Sequence, residues 1–208
     1  MSTIDGLDIS HHQGEVDFKR LKAGGCNFIF LKASEGVSFV DNKFASNRQA
    51  ARTAGIPSGP YHYFSADVSP VLQAAHFVDV VGSLAPGDLF PALDVEDEHQ
   101  FKGISPKKAA DMVVACLEEV EKRLGVPCIL YADESMIVHC LGSDARLAQN
   151  GRLLWYAKFR SRLEVPPPPP PFGKISVWQF SETGKRAGVV GFVDEDISFV
   201  PLEDFTVK

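Results

Sequence analysis

Eight short, compact apolar runs punctuate the sequence, and their spacing limits the chain more than any other feature. They are GLDIS (6–10), CNFIFLKAS (26–34), PSGPYHYF (57–64), LFPALDVE (89–96), PCILYA (127–132), LLWYA (153–157), ISVWQF (175–180) and GFVDEDIS (191–198). Most are apolar throughout rather than strictly alternating, as strands covered on both faces are. Helical patterns lie between them. Ser105 and Pro106 open the clearest, in which Ala109, Met112, Val113, Cys116, Leu117, Val120 and Leu124 form one stripe before Gly125. Ser69 and Pro70 open a second, with Ala74, Ala75, Val78 and Val81 on one face, and a third ends at Gly55. Shorter helical segments are expected near 17–23 and 134–140. Strand, helix, strand in repetition predicts a parallel α/β sheet, and eight strands favour closure. Because the helices fall short of eight and the last three strands are joined by loops alone, the expected fold is an irregular TIM-like β/α barrel.

The 208 residues suit one such domain over 1–208. The run EVPPPPPPFG cannot be helix or central strand and reads as a stiff polyproline connection between the sixth and seventh strands. ISVWQF resumes a core pattern at once, so no domain boundary falls there; a role as an SH3-type ligand is the weaker reading. With 27 acids against 21 bases, a net charge of −6 and no basic run, a nucleic-acid partner is not expected. No stretch approaches the roughly 20 apolar residues of a membrane span. Cys26, Cys116, Cys128 and Cys140 lack CxxC spacing and sit in apolar contexts, which predicts reduced core thiols and no structural zinc.

The chemistry gathers at the strand ends. Asp94 and Glu96 alternate onto one face, roughly 6.5–7 Å apart along the backbone, and the same parity relates Asp8 to Ser10 and Asp194 to Asp196. Three strands are thus expected to end in acids, at the barrel face where active sites form. Tyr61, Tyr63, Tyr131, Trp155, Tyr156, Trp178 and Phe180 occupy similar positions, some as core and some facing a ligand, with Tyr61 and Trp178 the preferred ligand-facing pair. Rings beside acids suit a sugar. A glycosidic bond needs one carboxylic acid to protonate the leaving oxygen and a second group to stabilise an oxocarbenium-like centre. Crowded acids cannot all ionise, so at least one should hold its proton; the one deepest against apolar walls is the natural donor, and Glu96 has the longer reach. His62 alternates away from Tyr61 and Tyr63, as a core histidine would, and Glu35 stands three residues after Lys32, as an ion pair would.

The segments GLDISHHQG, FIFLKASEG, GPYHYF, ALDVE, LLWYAKF, VWQFSETG and GFVDEDIS, in this order along nearly the whole chain, resemble glycoside hydrolase family 25, the Chalaropsis-type lysozymes that cleave peptidoglycan as N-acetylmuramidases. The resemblance implies an irregular barrel and Glu96 as general acid/base. Asp94 would stabilise the positive centre or orient the substrate's N-acetyl group. Asp8 would be the N-terminal acid of the site and Asp194 the acid near the C-terminus; from their strand-end positions, Tyr61, Tyr131 and Trp178 are expected to touch substrate. It implies bacterial peptidoglycan as partner; neither metal nor organic cofactor is expected, and a monomer is expected. The sequence departs from the pattern at Asp196, where Asn is usual, at Ser34, where Thr is common, and in its long proline run. No wall-binding module is expected beside the barrel. The start lacks a basic and apolar leader, so the enzyme is expected to be made without a signal and to reach the wall by release or delivery. Two rivals remain: a metal-dependent polysaccharide deacetylase using Asp8, His11, His12 and Asp94, although His11 and His12 would point opposite ways in a strand, and a non-catalytic glycan-binding barrel.

Overall fold

The computed structural model describes residues 3–208. Its strands are β1 (Ile4–Ile9), β2 (Phe28–Glu35), β3 (Phe39–Val40), β4 (Ser58–Tyr63), β5 (Ala92–Asp94), β6 (Ile129–Asp133), β7 (Leu154–Ala157), β8 (Val177–Gly184) and β9 (Val193–Ser198). From β1 through β2, β4, β5, β6, β7 and β8 every neighbour is parallel. β9 then lies antiparallel to both β8 and β1 and closes the ring. The eight barrel strands are the eight apolar runs. β3 hangs outside the ring as a short hairpin on the end of β2; two residues carry too little pattern to be read beforehand.

Helices α1 (Phe18–Ala23), α2 (Phe44–Ala54), α3 (Pro70–Val81) and α4 (Pro106–Leu124) cover the first half of the ring. In α4 the Ser105 hydroxyl accepts from the Lys108 N–H and Gly125 ends the helix at φ 72°, the left-handed turn that glycine adopts without strain. After β6 the expected helix is one π-helical turn, Met136–Cys140, and the connection from β7 to β8 has neither helix nor strand. In the proline run Pro166 and Pro169 are buried while Pro167 and Pro170 are exposed, the three-residue period of an extended proline segment lying on the barrel.

Alternation along each strand divides the core in two. Leu7, Ile29, Leu31, Leu93, Leu130, Leu154, Tyr156 and Ile197 face outward and pack with helix residues such as Ala109, Val113 and Leu117. Phe28, Phe30, Tyr61, Ala92, Ile129, Tyr131, Trp155 and Val177 face inward. The inner space is filled by rings: Phe30 stacks on Trp155 with centroids 4.3 Å apart, and Phe28 meets Phe205 edge-on at 6.0 Å. Phe205 belongs to a C-terminal tail that plugs the lower end, where the Phe90 N–H donates to the Phe205 carbonyl and the Val207 N–H to that of Asp88, both at 2.8 Å. Arg48 and Arg52 pair with Asp88 beside this plug. With the bottom sealed, polar groups collect at the upper end.

Such filling needs glycine where rings lie against backbone. A Cβ on Gly6 in β1 would overlap the Phe28 ring, and one on Gly59 in β4 would come within 2.9 Å of Leu89 and the Phe90 carbonyl. Gly6→Ala is therefore expected to destabilise the fold by about 1–3 kcal/mol, read as a lower urea midpoint. Gly173→Ala, whose Cβ would meet nothing within 4 Å, should leave the midpoint within about 0.5 kcal/mol of the parent. Equal effects of the two would contradict this packing.

Candidate active site

The inward parity that places Phe28 and Phe30 low in the barrel places Lys32 above them on β2; likewise Asp8 follows Gly6 on β1, Asp94 follows Ala92 on β5, and Tyr131 and Asp133 follow Ile129 on β6. Asp8 pairs in register with Asp194 across β1 and β9, and Asp196 sits one pleat lower, opposite Gly6 and Gln179. This corrects one expectation. Asp194 and Asp196 do not end a strand: Asp194 lies at the start of β9, whose reversed direction brings it to the rim where the parallel strands finish, and Asp196 is buried in mid-strand.

Directed hydrogen bonds join these groups. The Tyr131 hydroxyl donates to Gln179 Oε1 at 2.8 Å, Gln179 Nε2 donates to Asp8 Oδ2 at 2.7 Å, and the Trp155 indole N–H donates to Asp196 Oδ1 at 2.7 Å. Asp94 is 6 % exposed and its Oδ1 has no partner. Tyr61, also buried, shows the convergence: its hydroxyl pKa is raised well above the ordinary value by burial first, then by Asp8, Asp94, Asp194 and Glu96 together. Acids from both ends and the middle of the chain surround one tyrosine.

Crowding in a low-dielectric setting raises the pKa values of these acids. Asp94 is pushed well above the usual carboxylate range by burial and then by Glu96, with Lys32 opposing. Glu96 is raised as well, by desolvation first, against the pull of Lys32 and the Tyr131 hydroxyl. Solvent reaches its side chain. Asp8 is raised well above its usual range by burial, Asp196 and Asp194, and Asp194 to about 6 by burial and Glu182. Depth therefore does not select Glu96 as sequence reasoning expected: Asp94 lies deeper, and Glu96 is the acid that reaches open space.

That space is a cleft of about 600 Å³ whose lining includes Tyr63, Glu96, Tyr131, Asp133, Lys158 and Phe159. Trp178 does not line it, which corrects the second expectation. Alternation from Val177 turns Trp178 outward, with no exposed surface, and its indole N–H donates to the Lys158 carbonyl at 2.8 Å. The same alternation turns Gln179 inward to Asp8, a role readable from parity but missed. Phe159, 52 % exposed on the cleft wall, was missed because it follows β7 in a loop. Lys32 was recognised only as a partner of Glu35, which it holds at 2.8 Å; it also lies 4.7 Å over the Tyr63 ring and is the cation that opposes protonation of both Asp94 and Glu96.

His62 is a core residue, bonded to Ser34 Oγ at 2.9 Å and Gln73 Oε1 at 3.3 Å, and burial lowers its pKa to about 3, which leaves it neutral. His11 and His12 lie on a 3-10 turn rather than a strand, with ring centroids 4.0 Å apart, so they do not point opposite ways; His11 Nδ1 instead engages Asp41 at 2.8 Å. Among the described residues no group of three His, Cys, Asp or Glu side chains is arranged to hold a metal ion.

Comparison with known proteins bears on the family. Residues 7–189 match the family described as Glycosyl hydrolases family 25. The chain is 28% identical to Lysozyme M1 of Streptomyces globisporus over 201 residues, covering 94% of this chain and 67% of that protein. It is 27% identical to the N,O-diacetylmuramidase of Chalaropsis sp over 204 residues, 94% of this chain and 96% of that protein. The crystal structure of the bacterial lysozyme from Streptomyces coelicolor superposes with a TM-score of 0.89 at 28% identity, over 96% of this chain and 94% of that one. An eight-stranded irregular barrel, an acid pair beside an open cleft and a family match that spans β1 to the turn before β9 agree: the chain is a glycoside hydrolase and belongs to family 25.

Proposed function

We propose that the protein hydrolyses the β-1,4 bond between N-acetylmuramic acid and N-acetylglucosamine in bacterial peptidoglycan, with Glu96 as general acid/base. The observation that carries this reading is the Asp94–Glu96 pair, in which burial raises both carboxyls, Glu96 raises Asp94 further, Asp194 and Asp133 add to the rise of Glu96, and only Glu96 of the two opens on the cleft. Two acids so coupled retain one proton beyond the range in which either alone would ionise. Presented by Glu96, that proton goes to the glycosidic oxygen as the bond to the sugar's C1 breaks. Glu96, now a carboxylate, then takes a proton from the water that attacks C1. Asp94 beside it stabilises the positive centre or orients the N-acetyl group, and Asp194 adds negative potential near Glu96. Phe159 offers an exposed ring on the cleft wall, which Tyr63 and Tyr131 also line. The N,O-diacetylmuramidase and lysozyme relatives support this substrate.

Glu96→Gln should lower turnover on peptidoglycan by roughly 10²–10⁴-fold with an unchanged circular dichroism spectrum; near-normal turnover would mean that another group is the acid. Asp94→Asn should be severe and Asp194→Asn milder in the same assay. Because Glu96 works protonated and its pKa is raised, the rate should hold above the ordinary glutamate range and fall as pH rises through the raised value. A profile flat into strongly alkaline pH would contradict that assignment. Exhaustive chelation should leave the rate unchanged, and loss of activity restored by zinc would favour a deacetylase-like centre.

A further inference from the structure

We propose that Phe192 and Lys185, at the neck of the hairpin between β8 and β9, form a further substrate subsite on the wall opposite Glu96. There the Phe192 ring stacks on a sugar of the glycan strand, and Lys185 meets a carboxylate carried by its muramic acid. The proposal rests on the muramidase reading above and extends it to how the strand is held. It starts from the geometry of the ring. β5 and β9 stand four places apart by either path around the barrel, so they lie on opposite sides of its mouth. Glu96, just past the end of β5, and Asp194, at the start of β9, therefore face each other, and Asp194 is close enough to raise the Glu96 pKa.

Parity carries that inner face upward. Val193 is buried in the outer core, and Glu195 pairs with Arg186 at 2.7 Å on the same side, so Asp194 and Phe192, which alternate with them, turn inward. Across the hairpin Gly184 pairs with Val193, which makes Lys185 and Phe192 the next cross-strand neighbours. The Lys185 Nζ lies 5.6 Å from the centre of the Phe192 ring. A ring that served only the core would be covered, whereas Phe192 is 58 % exposed. Lys185 is exposed as well and pairs with no acid among the described residues. The arm that bears them is anchored. The Gly188 carbonyl accepts the Asp17 N–H at 2.8 Å, and a Cβ on Gly188 would lie 2.5 Å from the Asp17 carbonyl oxygen, so the hairpin sits tightly against the start of α1. A ring and a cation held in place lose little freedom when a ligand arrives. Charge fits the same occupant. Glu182 and Asp194 make this wall negative, yet muramic acid carries a lactyl carboxyl, free or extended by an acidic peptide stem. A strand lying here needs a cation, and Lys185 supplies it.

The test uses soluble, uncrosslinked glycan strands, either bearing peptide stems or stripped of them by an amidase. Val190→Ala is the control, because Val190 is 86 % exposed on the same hairpin but away from the neck. Phe192→Ala should raise KM about fivefold or more on both substrates with kcat within about twofold, the mark of lost uniform binding. Val190→Ala should stay within about twofold in both constants. Lys185→Gln should raise KM about threefold at low salt, and the difference should fade as added salt screens the charge. A rise confined to stem-bearing strands assigns the carboxylate to the peptide, and a rise on both assigns it to the lactyl group. A Phe192→Ala KM within about twofold of the parent, or an equal rise in Val190→Ala, overturns the subsite; Lys185→Gln unchanged at low salt overturns the charge contact. Calorimetry repeats the comparison without turnover: stem-bearing strands should bind Glu96→Gln with Phe192→Ala about fivefold more weakly than Glu96→Gln alone. A parent enzyme that binds strands but releases no reducing ends defeats the muramidase reading and leaves this binding comparison standing.

Discussion

The hydrogen-bonded ladder between β1 and β9 is the seam on which the site depends. Seven parallel strands alone would leave an open sheet with an edge at β1 and another at β8. β9 fills the gap by running antiparallel to both neighbours, which satisfies both edges and turns a sheet into a ring. The same ladder sets Asp194 opposite Asp8. Residues from opposite ends of the sequence therefore meet only because the last strand runs backwards, and a ladder slipped by one residue would turn Asp194 and Asp196 to the helix side.

Closure also sorts the interior by height. A sealed lower half, packed with Phe28, Phe30, Trp155 and Phe205, is a poor solvent for charge, and inward-facing polar residues are tolerated only toward the open end. The acids form a gradient there. Asp196 is deepest, Asp8 and Asp94 are buried just below the rim, and Asp194 and Glu96 reach solvent. Lys32 opposes the charge of Asp94 and Glu96, and Lys158 on the cleft wall pairs with Glu134, which leaves the acids at the rim in excess of the cations. Raised carboxyl pKa values are the physical outcome of that imbalance, and the general acid proposed for this site depends on one.

Much of this was legible in the residues, and the misses have distinct causes. Eight apolar runs were enough for the barrel, because strands buried on both faces write unbroken hydrophobic segments, and Ser105–Pro106 with Gly125 marked α4 because caps obey local chemistry. The Asp94/Glu96 pair was visible because acids seldom end a buried run without a reason. Strand direction was not visible: GFVDEDIS reads the same whether it ends or begins at the rim, so β9 was placed by analogy with its parallel neighbours. Trp178 was misjudged by choosing ring chemistry over parity, which Val177 and Gln179 on either side would have corrected. Depth cannot be read from a side chain's length, and so Asp94 rather than Glu96 proved the more buried. Phe159 and the β3 hairpin lie in loops, where no periodicity reports on position.

The direct measurement of the central claim is the identity of the new chain ends. Intact peptidoglycan digested with the enzyme, reduced with borohydride and analysed by mass spectrometry should yield muropeptides ending in reduced muramic acid. Fragments ending in reduced glucosamine, or no new reducing ends from a folded enzyme, would contradict the account.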